Sequence, residues 1–480
     1  MALTAAGLVA GLMLAYGGLR AVQPYLPEEL PGGEALDVRI VAITAGIALL
    51  TALAAAALPA MRVATHSPAP GLREGGRGGG ASRSRRRATR MLVGAQLAVA
   101  IVLVTSGGLL ARTILALSQV DPGFSTEEGV TAQVHLPASL STDPEARATY
   151  YEALEEAILD DPGITSAALA SSIPFGAEAE YVATSIDGVT LDPNDLPVLP
   201  HHRVSPSFFE VSGISLLRGR PFDSGDRVEA PLVAIVDETF EDRYLSGASA
   251  VGQVVRYPWR GAPPMEVVGV TAAVHHEDLA SPPQPTMWVP LAQMGFGALG
   301  HATVVARPRP GAGDSDALVS LSSAVRAFDD GIAVSDLVPY DGLLSRSLAQ
   351  QRLMMILLVL FAGTALALGC VGVYGVAAFS VRQRVREFGV RLALGASAPR
   401  IRRSVLGDGL RLAVPGTLIG LLLALPVARG LESMLYGVRA FDPLTFLAAP
   451  VALGTAALVA AYIPARRAMR VDPAVVLREE

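Results

Sequence analysis

The chain has 480 residues, of which 51% are apolar and 17% charged, a mixture that points to membrane spans alternating with soluble parts. All 38 positive charges are arginine. The lysine that an ordinary P-loop uses to reach nucleotide phosphates is therefore missing, and any ATPase belongs to another polypeptide. The single cysteine, Cys370, excludes an intrachain disulfide and a cysteine-based metal site.

In chain order, six stretches are apolar and long enough to cross a bilayer core, which takes about 20 helical residues. They are Leu3–Leu19, Ile40–Leu58, Met91–Leu115, Leu353–Phe379, Leu406–Val427 and Leu444–Ile463. Glycine and alanine recur in them, as at Gly107-Gly108 and Gly369–Gly375, and let helix backbones approach closely. The first stretch lacks a basic region at its start and does not read as a cleavable signal peptide. Met61–Arg90, Ser380–Arg403 and Pro464–Glu480 together hold 19 of the 38 arginines. Alternating the six spans puts all three segments on one side, which the positive-inside rule makes cytoplasmic. Because these runs abut spans, a nucleic-acid-binding patch is the weaker reading.

The chain also repeats itself. Leu58–Glu74 and Ile463–Glu479 are identical at 8 of 17 ungapped positions, among them Pro59/Pro464, Arg62/Arg467 and Glu74/Glu479. Each copy follows a pair of apolar stretches, which indicates an internally duplicated membrane protein. Between the second and third spans, Gly71–Arg90 has no apolar periodicity and reads as a flexible linker. Its GGRGGG run is not a phosphate cradle, since no strand precedes it and no lysine follows.

On the other side lies one large insert, Ser118–Ser345, with 11 Arg against 32 Asp and Glu. Strand-like runs recur in it, such as Leu232–Val236 and Met265–Val270, and Pro144–Leu159 has Tyr150, Leu154 and Ile158 at helical spacing behind an Asp143 cap. The insert reads as a soluble α+β domain. Its histidine pairs, His201-His202 and His275-His276, read as surface polar residues, because neighbours in a strand point to opposite faces and rarely supply two ligands. Ser171, Ser172 and Ser205 show no spacing to a base, and no nucleophile motif occurs. Ionisable residues are scarce inside the spans; Asp408, Arg411 and Arg429 fall at span ends, which disfavours a proton-driven antiporter.

The segment Val381–Arg403 (VRQRVREFGVRLALGASAPRIRR) can form a short amphipathic helix. Val385, Phe388, Leu392 and Leu394 to Ala396 make its apolar stripe, while Arg384, Glu387 and Arg391 lie opposite. Glu387 and Arg391 are spaced i,i+4 in the favourable order, and Gly395 and Pro399 end the helix. Such a helix is either an interfacial anchor or a docking knob for a cytoplasmic partner.

REFGVRLALGA at Arg386–Ala396 resembles the signature of the FtsX-type permease domain shared by MacB and lipoprotein-releasing ABC transporters. SPSFFEVSGISLLRGRPF at Ser205–Phe222, VAIVDETFEDRYLSGASAVGQ at Val233–Gln253 and VVGVTAAVHHEDL at Val267–Leu279 resemble the periplasmic domain of MacB-like permeases. The ending, Phe441–Glu480, fits the same class, and the duplication is most similar to its large duplicated permeases.

The resemblance implies a membrane protein: an α-helical bundle of six spans with a large extracytoplasmic α+β, MacB-like domain. Residues 1–60 would be the last two spans of a first repeat, 61–90 a cytoplasmic linker, 91–117 a span, 118–345 the periplasmic domain, and 346–480 an FtsX-like domain with three spans. The chain is thus expected to begin inside its first repeat. It further implies a non-enzymatic inner-membrane subunit, without cofactor, metal or nucleic acid, that works with a separate ABC ATPase. Arg386, Glu387, Gly389, Arg391 and Gly395 would form the ATPase-coupling helix, which tilts the open choice towards docking. A homodimer, or pairing with another permease unit, is the expected assembly. The expected work is export or extraction of an amphipathic substrate, or, alternatively, FtsX-like signalling to an extracytoplasmic partner.

Overall fold

The computed structural model describes residues 79–469 apart from 126–128, 136–143, 177–178, 190–195, 260, 294–300 and 395–396, together with the single positions Gly11, Met13, Gly17 and Gly46. The spans expected over Leu3–Leu19 and Ile40–Leu58, the linker before residue 79, and the end of the repeated tail from residue 470 lie outside the described residues. The chain forms two compact units: Gln119–Leu348, and the two flanking segments taken together.

Among the described residues, the flanking unit contains four helices long and apolar enough to cross a membrane. They are α1 (Gly79–Leu117), α7 (Ala349–Gln383), α9 (Ala398–Gly430) and α10 (Pro443–Ala468). Each contains one of the stretches expected from residue 91 onward and extends it by a turn or more, because the flanking arginines and short polar residues continue the helix. The helix α1 is the hub: half of its apolar window is buried, and it packs against α7, α9 and α10. Val93, Leu97 and Ile101 of α1 interlock with Val373, Leu412 and Leu453. Two glycines make the α1–α9 contact possible. A Cβ at Gly416 would lie 2.6 Å from the Gly94 carbonyl oxygen, and one at Gly420 would lie 2.7 Å from that of Ala98. Backbone therefore meets backbone along this seam, as small residues permit in membrane helices. At the opposite end from the arginines, Asp442 caps α10 by accepting from Thr445 N at 2.8 Å and pairs with Arg112 of α1.

The other unit is built on one sheet of twelve strands. These are β1 (Val130–His135), β2 (Ile164–Ala170), β3 (Glu180–Ala183), β4 (Ser185–Ile186), β5 (Val198–Val204), β6 (Leu216–Gly219), β7 (Leu232–Asp237), β8 (Val254–Arg256), β9 (Met265–Thr271), β10 (Met287–Pro290), β11 (His301–Pro308) and β12 (Ala333–Pro339). Their order is β12-β1-β11-β2-β5-β10-β7-β9-β8-β4, with β3 added beside β5 and β6 beside β9. The two halves meet where β2 pairs with β5 at Ala170 and Val204, flanked by the Ser171 N–H to Arg203 carbonyl and Ser205 N–H to Leu169 carbonyl bonds, both 2.8 Å. The β12-β1-β11-β2 half is antiparallel, and α2 (Pro144–Leu159) and α5 (Asp314–Phe328) bury Leu154, Ile158, Leu321 and Val325 against it. In the other half the chain crosses over between parallel pairs: β5 with β10 and β7 with β9. Short helices α3 (Phe208–Ser212) and α4 (Glu238–Tyr244) follow β5 and β7. Helix α2 coincides with the helix expected from its Tyr150, Leu154 and Ile158 spacing, and β7 and β9 extend the expected strand runs by one residue each.

The histidine pair of β5 corrects the surface reading, for His201 and His202 are each only 1% exposed. The pleat does send them to opposite faces. His201 Nε2 meets Tyr257 Oη at 2.7 Å, and the His202 ring stacks on Trp288 with centroids 4.6 Å apart and on His276 at the same distance. Burial pushes the two imidazoles down to about 3 and about 4 respectively, so both are neutral at pH 7. Ser172 Oγ lies 2.8 Å from His202 Nδ1, but both groups are buried, which denies this serine–histidine pair any substrate.

Asp237 ends β7 and caps α4: its Oδ1 accepts from Phe240 N and from Thr286 N, both at 3.0 Å, and its Oδ2 from the Thr239 hydroxyl at 2.6 Å. Burial outweighs these bonds and pushes the carboxyl up to about 7. A group that holds its proton more tightly when folded stabilises most below its unfolded pKa, and that contribution is lost as pH rises towards the folded value. Asp237→Asn keeps the Oδ1 acceptor and never ionises. Its melting temperature relative to the parent chain should therefore climb by several degrees between about pH 5 and about pH 8. A difference that stays constant with pH, measured by differential scanning fluorimetry in detergent, would show that Asp237 carries no folding-linked proton.

Candidate coupling element

Between α7 and α9 the chain turns at the arginine-rich face through α8, Val385–Ala393. Arg384 is the hinge: its backbone N–H donates to the Val381 carbonyl at 3.1 Å, and its carbonyl accepts from Phe388 N at 2.9 Å. Phe388 is the anchor. It is buried with Val381 of α7, Ile401 and Val405 of α9, and Ala465 and Ala468 of α10. Gly389, beside it, is buried as well.

A chain of ions runs along the flank of this anchor. Arg384 donates to both oxygens of Glu387 (2.8 and 3.2 Å) and to Asp408 Oδ2 of α9 (3.2 Å). Arg391 reaches Glu387 Oε1 at 2.5 Å, one turn on, and the Arg384 guanidinium lies 5.3 Å from the centre of the Phe388 ring. Arg384's hydrogen bonds hold the Glu387 carboxyl below the usual carboxylate range, and Arg391 adds to this. All of these side chains are about a third or more exposed, so each pair is worth no more than ~1 kcal/mol after screening. Truncating a buried phenylalanine costs ~3–5 kcal/mol. Phe388 therefore seats the helix and the ions set its rotation.

The outward face is apolar in part. Val390 is 40% exposed and Leu394 82% exposed, and the Leu394 N–H donates to the Val390 carbonyl at 3.0 Å, so the two are stacked one turn apart. This corrects the expected apolar stripe, which grouped Leu394 with Phe388. At about 100° per residue, six positions rotate Leu394 by about 240°, away from the bundle. Of the five expected coupling residues, Glu387, Gly389 and Arg391 are placed as above and Arg386 lies in α8; Gly395 lies outside the described residues. The Asp408 contact with Arg384 was missed, although a lone carboxylate at the start of a span beside an arginine-rich turn signals it.

The sheet unit has its own crossing points. The chain enters it past Phe124 and leaves through α6 (Tyr340–Ser347), and Phe124 stacks on Tyr340 with centroids 5.1 Å apart. Tyr340 N also donates to the Gly129 carbonyl at 2.8 Å. Only Leu348 separates α6 from α7.

Residues 359–473 match the family described as FtsX-like permease C-terminal, and residues 95–327 match that described as MacB-like periplasmic core domain. Together the two matches cover most of the chain. It belongs to the MacB/FtsX-like class of membrane ABC permeases. Among similar proteins is the macrolide export ATP-binding/permease protein MacB of Escherichia coli strain K12, 27% identical over 285 residues, which are 58% of this chain and 43% of that protein. The Paracoccus denitrificans MacB 1/2 protein is 26% identical over 279 residues, 58% of this chain and 41% of its own. The chain thus spans less than half the length of these relatives, and what it matches is the permease part. Solved structures similar to it include the periplasmic region of MacB from Actinobacillus actinomycetemcomitans, at 11% identity and a TM-score of 0.32, covering 47% of this chain and 95% of that one. Another is the extracellular domain of the transporter YknZ from Gram-positive bacteria, at 15% identity and a TM-score of 0.29, covering 43% of this chain and 100% of that one.

Proposed function

We propose that this chain is an inner-membrane permease subunit that receives the ATP-driven motion of a separate ATPase at α8 and passes it to the outer unit. The work done there is export or extraction of an amphipathic substrate. One observation carries the reading: α8 is seated by Phe388 and held in rotation by Arg384, Glu387 and Asp408, while it offers Val390, Leu394 and Arg391 outward. A helix that is rigid beneath and apolar at its tip can take a push from a cytoplasmic partner and hand it to two spans at once. Glu387, Gly389 and Arg391 then serve as rotation setter, close-packing residue and rim contact. A second permease unit, in another copy or in a first repeat of this chain, would complete the two-fold target that an ATPase dimer needs.

The Glu387→Ala/Arg391→Ala double variant should insert normally and lose about tenfold in affinity for the ATPase, as expected when charge-assisted contacts and orientation go together. Undiminished recovery of the ATPase with this variant would remove the coupling role. If the ATPase binds and hydrolyses but no compound is moved or extracted, the FtsX-like transducer reading takes the place of transport.

A further inference from the structure

A cavity of about 520 Å³ opens between α1 and α9 at their arginine-rich ends. Arg87, Arg90 and Arg411 line its arginine-rich end with Asp408, and Leu412, Pro415 and the exposed Met91 and Ile419 form its apolar wall. It runs past the contact of Gly416 with the Gly94 backbone as far as Ala98 and Ile419.

The charges at the mouth do not cancel. Asp408 is engaged by Arg384 at 3.2 Å, and its approach to Arg411 is only 3.8 Å, with the Arg411 side chain 86% exposed. Among the described residues, Arg87 and Arg90 take part in no ion pair. The mouth is thus a three-guanidinium cradle with surplus positive charge, and guanidinium binds phosphate oxygens through paired N–H donors.

We propose that this cavity is a binding site for an anionic phospholipid, with the phosphate held by Arg87, Arg90 and Arg411 and the first acyl segments lying against Met91, Pro415 and Ile419. Two features select a lipid. The apolar wall is continuous with the cradle: Ile419 lies eight residues past Arg411, about 12 Å further along the helix axis. An inorganic anion would use the mouth and leave that wall empty, and the acidic surface of a soluble partner cannot follow a groove into a span. Basic clefts between spans at the membrane surface suit anionic headgroups on the same physical grounds. The site is separate from the tip of α8, and its argument does not depend on the transport reading.

Native mass spectrometry of the full chain, released from detergent after incubation with phosphatidylglycerol or phosphatidylcholine, tests this. Phosphatidylglycerol should remain bound to the parent chain at collision energies that strip phosphatidylcholine. Arg87→Gln/Arg90→Gln/Arg411→Gln should weaken that retention at least fivefold, whereas Arg400→Gln/Arg402→Gln/Arg403→Gln, which removes equal charge from exposed positions outside the cavity, should leave it intact. Ile419→Trp, which alters the apolar wall without touching the cradle, should also lower it. Millimolar inorganic phosphate should displace little lipid. Equal retention of both lipids, equal loss in the two triple variants, or full displacement by inorganic phosphate each overturns the proposal. So does a cradle variant that keeps its lipid and instead loses an ATP-binding partner. Melting temperature and monodispersity of each variant separate loss of the site from loss of the fold.

Discussion

Replacing Phe388 by alanine should unseat α8 while leaving the four spans inserted. The ring fills a space bounded by α7, α9 and α10, and its removal leaves a cavity that the rigid helix ends cannot close. The expected cost is ~3–5 kcal/mol, against at most ~1 kcal/mol for any one of the flanking ion pairs. Because the loss is local, it should appear as local opening and not as global unfolding. Hydrogen exchange in α8 should accelerate by at least two orders of magnitude, and limited proteolysis at Arg391 should become fast. Phe388→Leu, which refills most of the space, should recover most of the protection. An Ala variant whose α8 exchanges as slowly as the parent would show that the ion chain, and not the ring, holds the helix.

Trp288→Ala is expected to be the most damaging single change in the sheet unit. The indole is fully buried in β10, stacked on His202 at 4.6 Å and packed against Phe208 and Phe209 at 5.5 and 5.7 Å. It lies beside β5, close to the Ala170–Val204 pairing where the two halves of the sheet meet. Truncation costs ~3–5 kcal/mol in packing alone. The neutral His202 then loses the ring that shields it from water, so it protonates more readily as pH falls. The melting temperature of the sheet unit should drop by ten degrees or more, with a smaller drop near pH 5 than near pH 8, because a folded state that lets His202 protonate loses less stability as pH falls (about 1.4 kcal/mol per unit of pKa change). A small loss, independent of pH, would contradict the role assigned to the stack.

The spans from residue 91 onward were legible because a bilayer imposes one simple requirement, a long apolar helix, on each of them. Helix α2 was legible because its apolar spacing faces one core, and β7 and β9 because short runs rich in Val and Ile, packed on both faces, read as strands. The histidines of β5 were not. Polar residue type argues for exposure, and only the tertiary partners Tyr257, Ser172 and Trp288 satisfy their burial. The coupling segment was half legible. Its amphipathic character and the Glu387–Arg391 spacing are local properties and show in the sequence. Which apolar residues turn inward depends on where the helix ends, and Leu394 falls just past that end. The Asp408–Arg384 and Asp442–Arg112 pairs join residues far apart in the chain; a carboxylate at a span end beside an arginine-rich turn hints at the first, but nothing local names the partner in either.

Helix α8 is the proposed point at which an ATPase engages. Val390→Asp/Leu394→Asp places two charges on the exposed tip and leaves Phe388, Glu387 and the spans untouched. The most direct measurement is ATP hydrolysis by the cognate ATP-binding subunit, reconstituted in nanodiscs with the parent or the variant permease. If α8 is the contact, the parent chain captures the subunit and changes its hydrolysis rate severalfold. The variant, inserted and as stable as the parent, should do neither. Capture and stimulation by the variant equal to those of the parent would contradict this contact.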